Sequence, residues 1–326
     1  MKISSGLIKA YSRMGQKGAA SGIGMIEVAK SNPDLKVVVA DSVAIASLDR
    51  FYNLFPEKVI NVGIAEQNMI GVAAGIASET GKSVYAFTYS AFIVVRALEQ
   101  VRLNLAYHKF NVKIVGNSAG FAMEMLGVSH WATEDIAFTR ALPNFTILSA
   151  SDCLQAVKMI TAADKIDGPV YIRLSGGQNL PIVYENDFDY EIGKAITLRR
   201  GKDVAIVATG LMVYESHCAA EILAQAGIEC TVVDMHTIKP LDTDTLDELF
   251  SSFNLIITVE EHSIIGGLGS AVAEYKSTKA NTPKQIFIGV NDAYLKLGTQ
   301  RYIWEQYGLT AEKISERVLN EYKQTI

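Results

Sequence analysis

The sequence predicts an α/β protein built from two doubly wound, mostly parallel-sheet domains. Three observations carry this reading. Short apolar runs alternate with segments of helical period along the chain. The runs are continuously apolar instead of alternating, as expected of strands covered on both faces. The pattern pauses once, across 175–202, where Gly, Asn, Asp and Pro cluster. The 326 residues are enough for two domains, because single cores stop growing at about 250–300 residues.

The first alternation has strand candidates at "KVVVA" (36–40), "KVINV" (58–62), "KSVYAFT" (82–88), "NVKIVG" (111–116), "FTILS" (145–149) and "PVYIRL" (169–174). Helical periods fall between most of them, at 17–30, 65–79, 92–107 and 152–164. The second has "DVAIVA" (203–208), "IECTVVD" (228–234), "LIITVE" (255–260) and "QIFIGV" (285–290), with a last helix at 310–324. The loss of helical signal places a domain boundary near residue 190, giving segments 1–190 and 191–326.

Composition narrows the function. The net charge is −5 with no basic stripe, which argues against nucleic acid or an anionic membrane as target. No run reaches the roughly 18–20 apolar residues of a membrane span, and the first residues lack an apolar signal core. Cys153, Cys218 and Cys230 form no metal or CxxC spacing, so buried packing roles and a cytoplasmic location are expected. The chain is 49% hydrophobic, with a mean hydropathy of +0.18, which suggests surface buried against a partner.

Ligands of open parallel sheets bind beyond the carboxyl ends of the strands. There the sequence puts Asp41, the Gly63–Glu66 turn, Tyr89 with Phe92, the segment 117–130, and "SGG" at 175–177. Glu66 opens the helix "EQNMIGVAAGIA". A first-turn acid normally only complements the helix dipole, worth under ~1 kcal/mol. This helix, however, is apolar around its circumference and reads as buried, where an unpartnered carboxylate is costly.

"GIAEQNM", "FTYSAFIVVRALEQVR" and "SHWATEDIAFTRALPN", followed by "VAIVATGLMV", "VVDMHTIKPLD" and "VEEHSIIGGLGSAVAE", resemble the transketolase superfamily of thiamine-diphosphate enzymes. The likeness spans nearly the whole chain. It implies the C-terminal subunit of a split, two-chain transketolase, holding the pyrimidine-binding and C-terminal domains.

The resemblance gives Glu66 a hydrogen bond to N1′ of the cofactor's aminopyrimidine, favouring the tautomer that activates C2, with a raised pKa keeping a proton available. It makes Tyr89 and Phe92 the aromatics packed on that ring, and puts Asp41 and Ile64 in the cofactor site. His130 becomes a catalytic group contacting substrate oxygens. Ser118, Leu126 and Arg173 are further substrate candidates, and His262 is mainly structural.

What is absent matters equally. No GDG motif occurs in the sequence, and "DGP" at 167–169 runs into a strand. The resemblance therefore implies that the diphosphate and its magnesium or calcium ion are held mainly by an N-terminal partner subunit carrying GDG, in a two-plus-two heterotetramer, with no metal ligand in this chain. Departures from the family pattern touch the substrate. Leu126 replaces the aspartate four residues before the histidine, Gly176 and Gly177 replace an arginine after "RLS", and Gln16 falls where the family carries another.

The expectation is ketol transfer between small sugars, on an unusual or unphosphorylated one. A decarboxylating carboligase, the beta subunit of a 2-oxo acid dehydrogenase and a non-catalytic homologue remain alternatives.

Overall fold

Twelve strands form two sheets in the computed structural model, which describes residues 3–294 and 296–325. The first seven in chain order are β1 (Lys36–Val39), β2 (Val59–Asn61), β3 (Val84–Tyr89), β4 (Val112–Ala119), β5 (Thr146–Ser149), β6 (Val170–Ser175) and β7 (Ile196–Arg199). β8 (Val204–Ala208), β9 (Cys230–Asp234), β10 (Thr237–Lys239), β11 (Leu255–Ser263) and β12 (Lys284–Val290) follow.

The first sheet has the order β10-β5-β6-β4-β3-β1-β2 and the second β12-β11-β8-β9-β7. Every pairing is parallel except the edges β10·β5 and β7·β9. These are the two sheets expected from the sequence.

Continuous apolar strands arise because both faces of the first sheet are covered. Val37 and Val39 of β1 pack with Met25, Val28, Ala156 and Ile160 of the helices on one side. Val38, between them, belongs to the opposite face. There a single apolar cluster runs through Ala86, Ile114 and Ile147 into Ala205, Val207, Val233 and Ile256 of the second sheet. The two sheets thus share a core.

Three elements depart from the sequence expectation. The helix expected at 17–30 starts at Ser5, where the Ser4 side chain caps Leu7 N–H, and continues through a π-helical turn at Ala20–Gly24 to Ser31. It kinks at Gly15, whose φ of +75° brings its Cα so near Gly177 that a Cβ would stand 2.1 Å from that carbonyl oxygen. β7 lies in the stretch that carried no helical signal. β10 lies within 191–326 yet is an edge strand of the first sheet, so sheet membership crosses the boundary near 190.

A buried polar network spans the junction. Arg173 on β6, 1% exposed, gives its Nε proton to Asp135 Oδ2 at 2.8 Å and its Nη2 protons to the carbonyls of Ala132 (3.1 Å) and Glu261 (2.9 Å). The Tyr171 hydroxyl donates to the same Asp135 oxygen at 2.5 Å. On β11, Glu261 accepts from Trp304 Nε1 at 2.6 Å, Gln300 Nε2 at 2.9 Å and Phe121 N at 3.2 Å.

Removing one partner of a buried ion pair strands the other charge and costs about 3–5 kcal/mol. Arg173→Met is therefore expected to lose about that much in urea denaturation. Arg173→Met with Asp135→Leu should recover much of it; equal loss in both would contradict a pairing role.

Candidate active site

The site lies past the carboxyl ends of β1 to β4. Asn61, the last residue of β2, ties two strand exits together. Its Oδ1 accepts from Asp41 N and Gly63 N at 3.0 Å each, and its Nδ2 donates to Asp41 Oδ1 at 3.2 Å. Asp41 itself sits at φ +53°. Gly63, at φ +76°, turns the chain so that Ile64 projects outward, 81% exposed, and Glu66 begins the helix Glu66–Thr80.

That helix is not buried all round. Met69, Ile70, Ala73, Ala74 and Ala77 face the core, while Gln67, Asn68, Gly75 and Ser78 face outward. Before Glu79 and Thr80 at its end, that outer face is made of small or amide residues.

The Glu66 side chain is nonetheless only 7% exposed, and its partner is Arg96, whose Nη1 stands 3.0 Å from Oε1. The cost of burying the carboxylate is thereby offset by an ion pair.

After β3 the chain enters a π-helical segment, Ala91–Arg96, marked by the i+5 bond from Ala97 N to Phe92 O at 3.2 Å. Residue 96, four positions on, lies on the same side of this segment as residue 92. The Arg96 guanidinium carbon lies 3.8 Å from the Phe92 ring centre.

Phe92 meets Tyr89 edge-on at 5.3 Å, and both meet the His130 ring, at 5.0 and 5.6 Å respectively. Burial raises the Tyr89 phenol above its ordinary pKa, so it stays protonated at neutral pH.

His130 reaches this trio because the loop 120–132 is closed at its base. Gly120 and Ala132 exchange both backbone bonds, at 2.9 and 3.1 Å. Gly127, at φ +69°, turns the chain just before the histidine, whose Nδ1 is 3.0 Å from Ser129 Oγ. Leu126 is 52% exposed on the same loop, between exposed Met125 and Val128. Ser118 is buried at φ +56° next to Asn117, whose Oδ1 has no hydrogen-bond partner among the described residues.

The structure therefore brings Tyr89, Phe92 and His130 together, with Glu66 joined to them through Arg96. Asp41 and Ile64 line the adjoining turn. Two residues stand elsewhere. Arg173, expected to meet substrate, has its guanidinium engaged inside the junction described above, a correction forced by its burial. Gln16 is also fully buried, donating to Ala150 O at 2.8 Å and accepting from Ser175 N at 2.7 Å, and so clamps the end of β6.

Sequence reading missed Arg96. Its only signal was a position four residues after Phe92, one helical turn on.

His262 lies in the interior. Fully buried, it donates from Nδ1 to Ser263 O at 2.7 Å and accepts at Nε2 from Ala137 N at 3.3 Å. Burial pushes its pKa down to about 4, so the ring is neutral. Neighbouring Glu260, accepting from Leu268 N and Gly269 N at 2.6 and 2.8 Å, is pushed up to about 7 by burial.

The signs oppose. The depressed His262 contributes stability that is complete above its unfolded pKa near 6.5 and is lost as pH falls toward 4, about 3 kcal/mol in all. The raised Glu260 gains stability over the acid range below 7. His262→Gln should therefore lose less stability than the wild type between pH 6.5 and 4.5, whereas parallel curves would refute a buried neutral imidazole.

The family profile "Transketolase, pyrimidine binding domain" matches residues 16–180, and "Transketolase, C-terminal domain" matches 193–314. Among curated proteins, the chain is 41% identical over 311 residues to the "Putative transketolase C-terminal section" of Methanocaldococcus jannaschii, covering 94% of this chain and 97% of that one. It is 39% identical to the "6-deoxy-6-sulfo-D-fructose transketolase subunit SqwH" of Clostridium sp. (strain MSTE9), covering 89% of each. A solved structure described as "Split gene transketolase, inactive beta4 tetramer" superposes with a TM-score of 0.85 at 40% identity, over 95% of this chain and 99% of that one.

Proposed function

The chain belongs to the transketolase family, and on that premise we propose that it is the C-terminal subunit of a two-chain enzyme transferring a two-carbon ketol unit between sugars with thiamine diphosphate. The observation that carries the reading is the convergence of Glu66, Phe92, Tyr89 and His130 at one sheet edge. A buried carboxylate beside two aromatic faces suits a flat nitrogen heterocycle. When bound, that cofactor supplies the carbon nucleophile.

In this chain Glu66 would hold a proton at N1′ of the ring. Phe92 and Tyr89 would pack on its faces and exclude water. Asp41 and Ile64 would border it. His130, rigidly placed by Phe92 and Tyr89, would hydrogen-bond substrate oxygens near the reacting carbon, with Ser118 and Leu126 bordering that side.

The diphosphate and its magnesium or calcium ion would be held by an N-terminal partner carrying GDG, two copies of each chain forming the enzyme. Glu66→Gln keeps shape but loses the acidic group. Turnover in the assembled enzyme is expected to fall at least about a hundredfold, the scale of positioned proton transfer. Unimpaired exchange of the cofactor's C2 proton in that variant would remove Glu66 from the mechanism. Carbon dioxide release from a 2-oxo acid donor would redirect the assignment to a decarboxylating carboligase or dehydrogenase subunit.

The substrate of this reading is an unusual sugar for which a phosphate ester is not the preferred handle. Phosphate is best held by arginine forks, and here the corresponding positions carry clamped Gln16 and the Gly176–Gly177 pair, with Arg173 sealed in the junction. Exposed Met125, Leu126 and Val128 offer apolar surface beside His130 instead. Each missing charge-assisted bond is worth roughly 1.5–3 kcal/mol. In the reconstituted enzyme, kcat/KM for xylulose 5-phosphate should not exceed that for an unphosphorylated or deoxy-modified ketose; a thousandfold preference for the ester would sink this substrate assignment.

A further inference from the structure

Arg96 engages both groups that the proposed cofactor ring requires. Its Nη1 lies 3.0 Å from Glu66 Oε1, and its guanidinium carbon lies 3.8 Å from the centre of the Phe92 ring. A guanidinium is flat, cationic and rich in edge N–H donors. Stacked on an arene and bonded at its edge to a carboxylate, it presents the face and edge that an aminopyrimidine protonated at one ring nitrogen would present.

The two partners differ in how freely they can move. The Glu66 side chain is 7% exposed and fixed at a helix start, whereas that of Arg96 is 49% exposed and approaches from the solvent side. The Arg96 backbone is anchored, its carbonyl accepting from Gln67 Nε2 at 3.2 Å while Ala97 N bonds Phe92 O. The guanidinium can therefore swing away without disturbing the helix or the core.

We infer that Arg96 is an internal stand-in for the cofactor's aminopyrimidine, which must displace it from Glu66 and Phe92 to bind. This rests on the cofactor reading above. The latch sets cofactor affinity, because the apparent dissociation constant is the intrinsic one divided by the fraction of molecules with the latch open. It also keeps Glu66 in an ion pair until the ring arrives. A half-exposed ion pair with a cation–π contact is worth enough to weaken apparent binding by about three- to thirtyfold.

The experiment is a calorimetric titration of thiamine diphosphate with magnesium into the full chain assembled with its diphosphate-binding partner, comparing wild type, Arg96→Ala and Arg96→Lys. The alanine variant is expected to bind about three- to thirtyfold tighter, with lysine, which keeps charge but loses the flat fork, between it and wild type. Repeated in a Glu66→Gln background, Arg96→Ala should give a much smaller gain, because the latch has lost its ionic partner.

Weaker or unchanged binding by Arg96→Ala overturns the stand-in and makes Arg96 a brace for Glu66. An undiminished gain in the Glu66→Gln background overturns the Glu66 half of the latch. Absence of binding in every protein, wild type included, overturns the cofactor reading itself, and is thereby distinguishable from failure of the stand-in alone.

Discussion

The ion pair of Arg173 with Asp135 is the constraint on which the arrangement depends. A guanidinium buried to this degree is tolerable only if its donors are satisfied. The acceptors come from three places: Asp135 at the start of a helix, Ala132 at the base of the 120–132 loop, and Glu261 on the second sheet. Satisfying one charge therefore fixes the relative position of both sheets and of the loop that carries His130. The shared apolar cluster supplies adhesion between the sheets, but apolar contact is non-directional and cannot set such a register. The hydrogen-bonded charge can.

Directly downstream of that constraint is the aromatic trio. His130 stands against Phe92 and Tyr89 because its loop is closed by the Gly120–Ala132 bridge. Gly120 leaves no room for a side chain, since a Cβ there would meet Glu261 Oε2 at 2.1 Å. The same glutamate that receives Trp304 and Gln300 thus crowds the base of the loop that carries His130. Substitutions in the second sheet should reach the site by this route, although no residue of that sheet belongs to the trio.

Particular residues show how sequence reading picked out the candidate site. Glu66 was legible because a carboxylate at the head of a nearly uncharged helix conflicts with ordinary burial energetics. Tyr89, Phe92 and His130 were legible because strand ends in parallel sheets face one edge and because they fall in family motifs. Arg173 misled for the opposite reason. An arginine at a strand end looks available to a ligand, and only the packing of β11 across it shows that its donors are used. Gln16 likewise read as a lost arginine, whereas in place it is a clamp between Ala150 and Ser175.

The sequence by itself determined the two parallel sheets, since runs such as "KVVVA" and "DVAIVA" with helical segments between them have few other ways to bury apolar surface and pair backbone groups. It also determined the family, because this resides in local motifs. Tertiary structure alone decided which polar groups face each other across the chain: Arg96 with Glu66, Arg173 with Asp135 and Glu261, and β10 with β5, a strand some ninety residues earlier. Such contacts depend on distance in space between residues remote in sequence, and no local pattern encodes that distance.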